Sequence, residues 1–157
     1  METRAMFGAG CFWGVEEVFR VFPGVVKTRV GFSGGTVKDP SYAKVCEGNT
    51  GHAEVVEIIY DPGQTTYEKL LDRFFEIHDP TQVNRQGPDV GDQYRSVIFY
   101  YTAEQKESAE KSKDTLAASG KWHNPIATEI APAGEFYEAE EYHQHYFLKN
   151  GGGTCHV

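Results

Sequence analysis

Basic side chains are scarce in this chain of 157 residues: 15 lysines and arginines stand against 23 aspartates and glutamates, for a formal net charge of −8. No basic run is longer than a pair, so the clustered cations that neutralise phosphates are missing and a nucleic-acid partner is not expected. Long apolar runs are missing too. No stretch approaches the roughly 20 residues that span a bilayer, and Met1-Glu2-Thr3-Arg4 lacks the apolar core of a signal peptide. The expectation is a cytoplasmic protein with no membrane partner. The glycine spacing of a dinucleotide site and the Walker A sequence are both absent, which argues against a bound nucleotide. Only three cysteines occur, Cys11, Cys46 and Cys155. They make neither a disulfide framework nor a C-x-x-C pair, and an odd count of thiols suits a reducing compartment. The sole local cluster of metal-ligating types is His143-Gln144-His145 with Glu141, where Glu141 and His145 are four apart on a predicted helix. Such spacing is far commoner on a solvated helix face than in a ligand set, and no metal is expected.

What is present is enough for one domain with a proper core, since 39% of residues are hydrophobic and 13% aromatic. The chain is organised around Gly10-Cys11-Phe12-Trp13-Gly14. Ala5-Met6-Phe7 upstream suits a short buried strand tightening through Gly8 and Gly10. Downstream, Phe12, Val15, Val18, Phe19 and Phe22 recur at helical steps until Pro23-Gly24 ends the pattern. Cys11 is thus expected in the first turn of a helix, where unpaired N–H groups and the dipole favour an anion. A thiol so placed has its pKa lowered from about 8.5 to between roughly 3.5 and 7.5. The plainer role for Cys11 is a small hydrophobe at a strand-to-helix junction. Against it, Trp13 points away from the apolar stripe and is free to wall a pocket beside the sulfur.

Further along, residues 25–32 suit a strand, and residues 36–51 a loop carrying Tyr42 and Cys46. Residues 52–60 form the strongest strand, apolar on both faces as in a covered central strand. Thr65 with Glu68 reads as a capping box for a helix that buries Leu70, Leu71, Phe74, Phe75 and Ile77 and stops at Asp79-Pro80. Residues 81–93 make a long polar loop of the kind that carries function. A strand over 94–101 follows. Thr102 and Gln105 cap a polar surface helix that ends near Gly120, residues 126–131 suit a last strand, and residues 136–148 a helix. Gly151-Gly152-Gly153 opens a flexible tail bearing Cys155.

Three ordered blocks, Gly10-Cys11-Phe12-Trp13-Gly14-Val15-Glu16, Gly51-His52-Ala53-Glu54-Val55-Val56 and Gln93-Tyr94-Arg95-Ser96, together with the glycine-rich cysteine tail, closely resemble the A-type peptide methionine sulfoxide reductases. The resemblance spans nearly the whole chain. It implies reduction of the S epimer of methionine sulfoxide, free or in a peptide, by thiol chemistry with no metal or organic cofactor. It implies Cys11 as nucleophile, Glu54 as proton donor, Tyr42 and Tyr94 as hydroxyls holding the sulfoxide oxygen, Phe12 with Trp13 as a cage for the methyl group, and Asp89 as a substrate-site carboxylate. Where relatives have an asparagine before that aspartate, this chain has Pro88, and Asp92 lies close by. Cys155 is implied as the resolving thiol, forming a disulfide with Cys11 that a thioredoxin-type dithiol protein reduces; Cys46 is expected to be structural, with a role as an intermediate relay left open. The fold expected is α+β: a two-layer sandwich on a mixed sheet, a ferredoxin-like α/β roll, with residues 1–149 as one catalytic domain, residues 150–157 as the tail, and a monomeric state.

The residue types suit that chemistry. Attack on a sulfoxide sulfur drives electrons onto an oxygen that leaves only if protonated, so an acid is required. A glutamate near 4.3 in water keeps its proton at neutral pH only when desolvated, and the apolar strand around Glu54 supplies such a setting. By position alone Glu57, on the strand's other face, is an equal candidate; the resemblance chooses Glu54. Two neutral phenols can stabilise growing charge on oxygen, and aromatic rings favour a thioether methyl. Two rival functions share the cysteines. A redox sensor would need no Glu54, and a thiol peroxidase would prefer hydrogen peroxide to the sulfoxide.

Overall fold

The computed structural model describes residues 3–48 and 50–146, so the tail glycines and Cys155 lie outside the described residues. In chain order the elements are β1 (Thr3–Ala9), α1 (Phe12–Arg20), β2 (Val25–Ser33), α2 (Tyr42–Cys46), β3 (Ala53–Tyr60), α3 (Tyr67–Glu76), β4 (Arg85–Gln86), β5 (Asp89–Val90), β6 (Ser96–Tyr100), α4 (Ala103–Ala118), β7 (Glu129–Pro132) and β8 (Phe136–Glu138). Six strands form one sheet in the order β7-β6-β1-β3-β2-β8, with β4 and β5 as a separate small hairpin. Strand β3 is inserted between β1 and β2 and runs antiparallel to both, while β6 and β7 pair in parallel. The fold is therefore mixed α+β.

The sheet is curled, and chain connectivity shows why. Strands β7 and β8 form its opposite edges, five strand spacings or about 24 Å apart in a flat sheet. Only residues 133–135 join them, a link that reaches at most about 14 Å. The edges must bend toward each other. Alternation along β1 and β3 then fills two cores. Ala5, Phe7, Ala9, Val56 and Ile58 face the layer of α1 and α3, where Phe7 packs on Phe19 at 5.6 Å and Phe74 at 5.0 Å between ring centres. Met6, Ala53, Val55, Val97 and Phe99 fill the other side, joined by Ala131, Ala133 and Phe136 from the two edges. Both faces of β3 are covered, as its apolar pattern requires. Truncating Phe7 to alanine would cost about 3–5 kcal/mol.

Helices α1 and α3 pack the apolar stripes expected of them and α4 is the polar surface helix expected, with small differences at their ends. Thr66, not Thr65, caps α3: its extended backbone lets Oγ1 accept from the Lys69 N–H at 3.2 Å, while Thr65 is buried one residue earlier. At α4, Thr102 accepts from the Gln105 N–H at 3.1 Å. Three expectations fail more plainly. Tyr42 and Cys46 are on the short helix α2, capped by Ser41 Oγ accepting from Lys44 N–H; five residues carry no readable helical period. The loop over 81–93 contains the β4–β5 hairpin, turned at Gly87 with a φ of 58°, and a 3-10 turn over Asp92–Tyr94.

Of the helix expected over 136–148, the described residues 136–146 instead form β8 followed by a 3-10 turn at Glu141–His143, and residues 147–148 lie outside the described residues, so β7 is not the last strand. Its apolar periodicity yields to pairing with the free margin of β2. There β8 bonds to Gly31, Phe32 and Ser33, and Gln144 extends the pairing with its side chain. The Gln144 Oε1 accepts from the Val30 N–H at 2.9 Å, and its Nε2 donates to the Val30 and Ala139 carbonyls at 2.8 and 2.9 Å. Among the described residues no helix is long and apolar enough to cross a membrane.

Candidate active site

Gly10, with a φ of 99°, turns the chain sharply out of β1, and Cys11 becomes the N-cap of α1, one position before the first turn where the pattern placed it. The Phe12 amide at that helix start donates to Glu54 Oε1 at 3.3 Å, and Gln93 Nε2 donates to Oε2 at 2.8 Å. Glu54 is 1% exposed, so the peptide joining Cys11 to Phe12 lies against a buried carboxyl. Glu57 faces the other side of β3 and is taken by Arg29, Nε to Oε1 at 2.7 Å. Geometry thus separates two carboxylates that position in the sequence left equal.

Tyr42 opens α2, its N–H donating to Glu140 at 3.3 Å, and Tyr94 closes the 3-10 turn after β5. Their hydroxyls share a hydrogen bond. Burial, and then the nearby Glu54 charge, push both phenols well above the usual tyrosine range, so both remain donors at physiological pH. Asp89, half-buried on β5, is among the charges facing Tyr94. Cys46 is exposed, its Sγ 3.5 Å from the Gln93 donor and beside Tyr42. His52 supports the loop leading into α2. Its Nδ1 accepts from the Gly35 N–H at 3.0 Å, and its Nε2 is 2.7 Å from the Val37 carbonyl.

The aromatic side is built across the chain. Phe12 is 1% exposed, packed on Phe32 and stacked on Tyr42 at 6.4 Å. Trp13, half-buried, lies flat on Tyr146 with ring centres 3.8 Å apart and planes within 7°. Its Nε1–H donates to His143 Nδ1 at 2.9 Å. The residues weighed as a metal cluster therefore part: His143 turns to Trp13, while the His145 N–H donates to Glu16 Oε1 at 2.7 Å. Among the described residues no group of three or more His, Cys, Asp or Glu could hold a metal ion.

Cys11, Glu54, Tyr42, Tyr94, Phe12 and Trp13 are brought together around the start of α1, Asp89 joins them only as a charge facing Tyr94, and Cys155 lies outside the described residues. Gln93 and His143 were missed as site residues. The one signal for Gln93 was its place in the block with Tyr94; nothing near His143 in sequence points to Trp13. A groove of about 590 Å³ between α3 and α4, lined by Phe75 and Leu116 among others, holds none of these residues.

A cysteine at a helix start, with a buried carboxyl and two coupled phenols beside it, is the site of a thiol-dependent oxidoreductase. Comparison with known proteins agrees. The family profile "Peptide methionine sulfoxide reductase" matches residues 3–157. Peptide methionine sulfoxide reductase MsrA of Methanoculleus marisnigri is 63% identical over 152 residues, 97% of this chain and 93% of its own length. The crystal structure of Mxr1 from Saccharomyces cerevisiae in reduced form superposes with a TM-score of 0.92 at 40% identity, covering 99% of this chain and 89% of that one. Mxr1 in complex with Trx2 superposes at 0.66 with 31% identity, over 92% and 84% of the two chains. This chain belongs to the peptide methionine sulfoxide reductase family.

Proposed function

We propose that the protein reduces the S epimer of methionine sulfoxide, peptide-bound or free, to methionine as a repair reaction after oxidative damage. The observation that carries the assignment of roles is Glu54, buried against the Cys11–Phe12 peptide and held by Gln93 beside the Tyr42–Tyr94 pair. Cys11 as thiolate attacks the sulfoxide sulfur. The S–O bond breaks as the oxygen takes a proton from Glu54, with Tyr42 and Tyr94 donating to that oxygen while charge grows on it. Attack forms a bond between the Cys11 sulfur and the substrate sulfur. The oxygen released from S–O cleavage then attacks the Cys11 sulfur and breaks that S–S bond, so that the thioether leaves, Cys11 ends as a sulfenic acid, and two electrons have passed from the cysteine sulfur to the substrate. Phe12 and Trp13 receive the substrate's methyl group, worth about 0.8 kcal/mol per buried carbon, and Asp89 contacts the rest of the substrate.

The Cys155 thiol then attacks the sulfenic sulfur, releasing water and forming a Cys11–Cys155 disulfide. A thioredoxin-type dithiol restores both thiols, a reading supported by the Mxr1 complex with Trx2. Neither metal nor organic cofactor takes part. We read residues 1–149 as one catalytic domain and 150–157 as the tail, in a cytoplasmic monomer. The inner order β6-β1-β3-β2 supports the ferredoxin-like label for the core.

The deciding experiment gives the reduced protein one equivalent of racemic methionine sulfoxide. Loss of one epimer, matched by a Cys11–Cys155 disulfide in the peptide map, is the expected result. Loss of both epimers, or a disulfide formed with peroxide but not with sulfoxide, overturns the reading.

A further inference from the structure

His143 is 1% exposed and lies among the side chains assigned to the substrate, though its number is 130 positions from Trp13. Its ring centre is 5.3 Å from Phe12, 4.4 Å from Tyr42 and 5.6 Å from Trp13, with Tyr142 at 4.0 Å on the outer side. The indole N–H of Trp13 can only donate, so His143 Nδ1 must present a lone pair at 2.9 Å. The proton of a neutral imidazole then sits on Nε2, which meets no hydrogen-bond partner among the described residues. Burial also holds the imidazole below its usual titration range, in agreement with a neutral ring.

The other neighbours of Trp13 complete the constraint. Tyr146 covers one face of the indole, and the backbone carrying both His143 and Tyr146 is pinned on each side of the turn. Gln144 bonds to Val30 and Ala139, and the His145 N–H to Glu16. An indole anchored only by stacking can rotate in its own plane. The added hydrogen bond removes that freedom, because it fixes where one edge of the ring must lie.

We propose that His143, as a neutral Nε2–H imidazole, is a positioning residue that fixes the plane and edge of Trp13, and thereby sets how well the site holds the methyl side of a sulfoxide substrate. The inference rests on the reading of Trp13 as part of the methyl cage. His143 touches no reacting atom in this scheme; it acts through the indole, and its influence falls on substrate binding more than on the oxygen transfer.

The test separates the two readings. In H143L, KM for the S sulfoxide rises about tenfold, the equivalent of one lost hydrogen bond, while the single-turnover rate at saturating substrate stays within threefold. H143N, whose Oδ1 occupies the place of Nδ1, returns KM to within about threefold of native. In a W13F background H143L adds no further increase, since the ring it positions can no longer accept the constraint. An equal rise in KM with and without Trp13 overturns the proposal. If W13F alone leaves KM unchanged, the methyl-cage reading fails first and takes this one with it. A measurement on the native protein guards against a misfolded variant: long-range nitrogen–proton correlation spectra at pH 7.5 show His143 as the Nε2–H tautomer, and an Nδ1–H or doubly protonated ring overturns the proposal.

Discussion

Replacing Glu54 by glutamine changes one oxygen to an amide nitrogen and removes the proton donor while keeping the shape. The packing cost is small for a structural reason. The new side chain in E54Q can turn its oxygen to the Phe12 N–H, which lies 3.3 Å from Glu54 Oε1 in the native protein, and its amide nitrogen to Gln93, which can flip to accept. What is lost is the fit of one hydrogen bond and the 3.5 Å Gln93 contact with Cys46, together about 1–2 kcal/mol of stability. The chemical cost is much larger. A positioned general acid contributes about 10²–10⁴ in rate, or roughly 3–5.5 kcal/mol on the barrier. Single-turnover reduction of the S sulfoxide by the pre-reduced variant should fall by that factor, with alkylation of Cys11 by iodoacetamide as the control for an intact thiol. If E54Q reduces the sulfoxide within tenfold of the native rate while Cys11 alkylates normally, the proton comes from elsewhere and the role given to Glu54 is wrong.

The phenols should show redundancy: Y42F or Y94F alone leaves one donor and costs about tenfold in kcat/KM, whereas Y42F/Y94F costs about a hundredfold or more. A double variant no worse than either single one would remove them from the oxygen's environment. Glu16 offers a test in pH. Burial raises its pKa above 4.5 despite the hydrogen bonds from the His145 N–H and Thr28, so the folded chain holds this proton more tightly than the unfolded chain. The resulting stabilisation is complete below pH 4.5 and is lost as pH rises through the raised value. E16Q stays neutral throughout, so its urea midpoint should gain on the native protein's between pH 4.5 and 8, and a gap moving the other way would refute the assignment.

Much of the frame was legible because its signals are local. The Phe12, Val15 and Phe19 stripe, the doubly apolar run of β3 and the Thr102 cap each declare an element within a few residues. The failures have a common physical cause, which is that distant partners overrode local pattern. Residues 136–148 carry helical spacing, yet the open margin of β2 and the amide of Gln144 draw residues 136–144 into strand and turn. Helix α2 is too short to show a period and is held by Ser41 and by Glu140, 98 positions from Tyr42. At the site, Cys11 announced itself by its setting between a strand and an apolar stripe. Nothing local separates Glu54 from Glu57: what does so is Arg29 on one side and Gln93 on the other. His143 was invisible for the same reason, since its meaning lies in a bond to an indole at the far end of the chain.

The curl has a cost during biosynthesis. Both outer strands of the sheet, β7 and β8, come from one late stretch joined by residues 133–135. While translation proceeds, the four inner strands wait with two rows of unpaired amides and carbonyls, an invitation to neighbouring polypeptides. A chain stopped ahead of β7 would keep the outer rows of β6 and β2 unpaired, the kind of edge that templates aggregation.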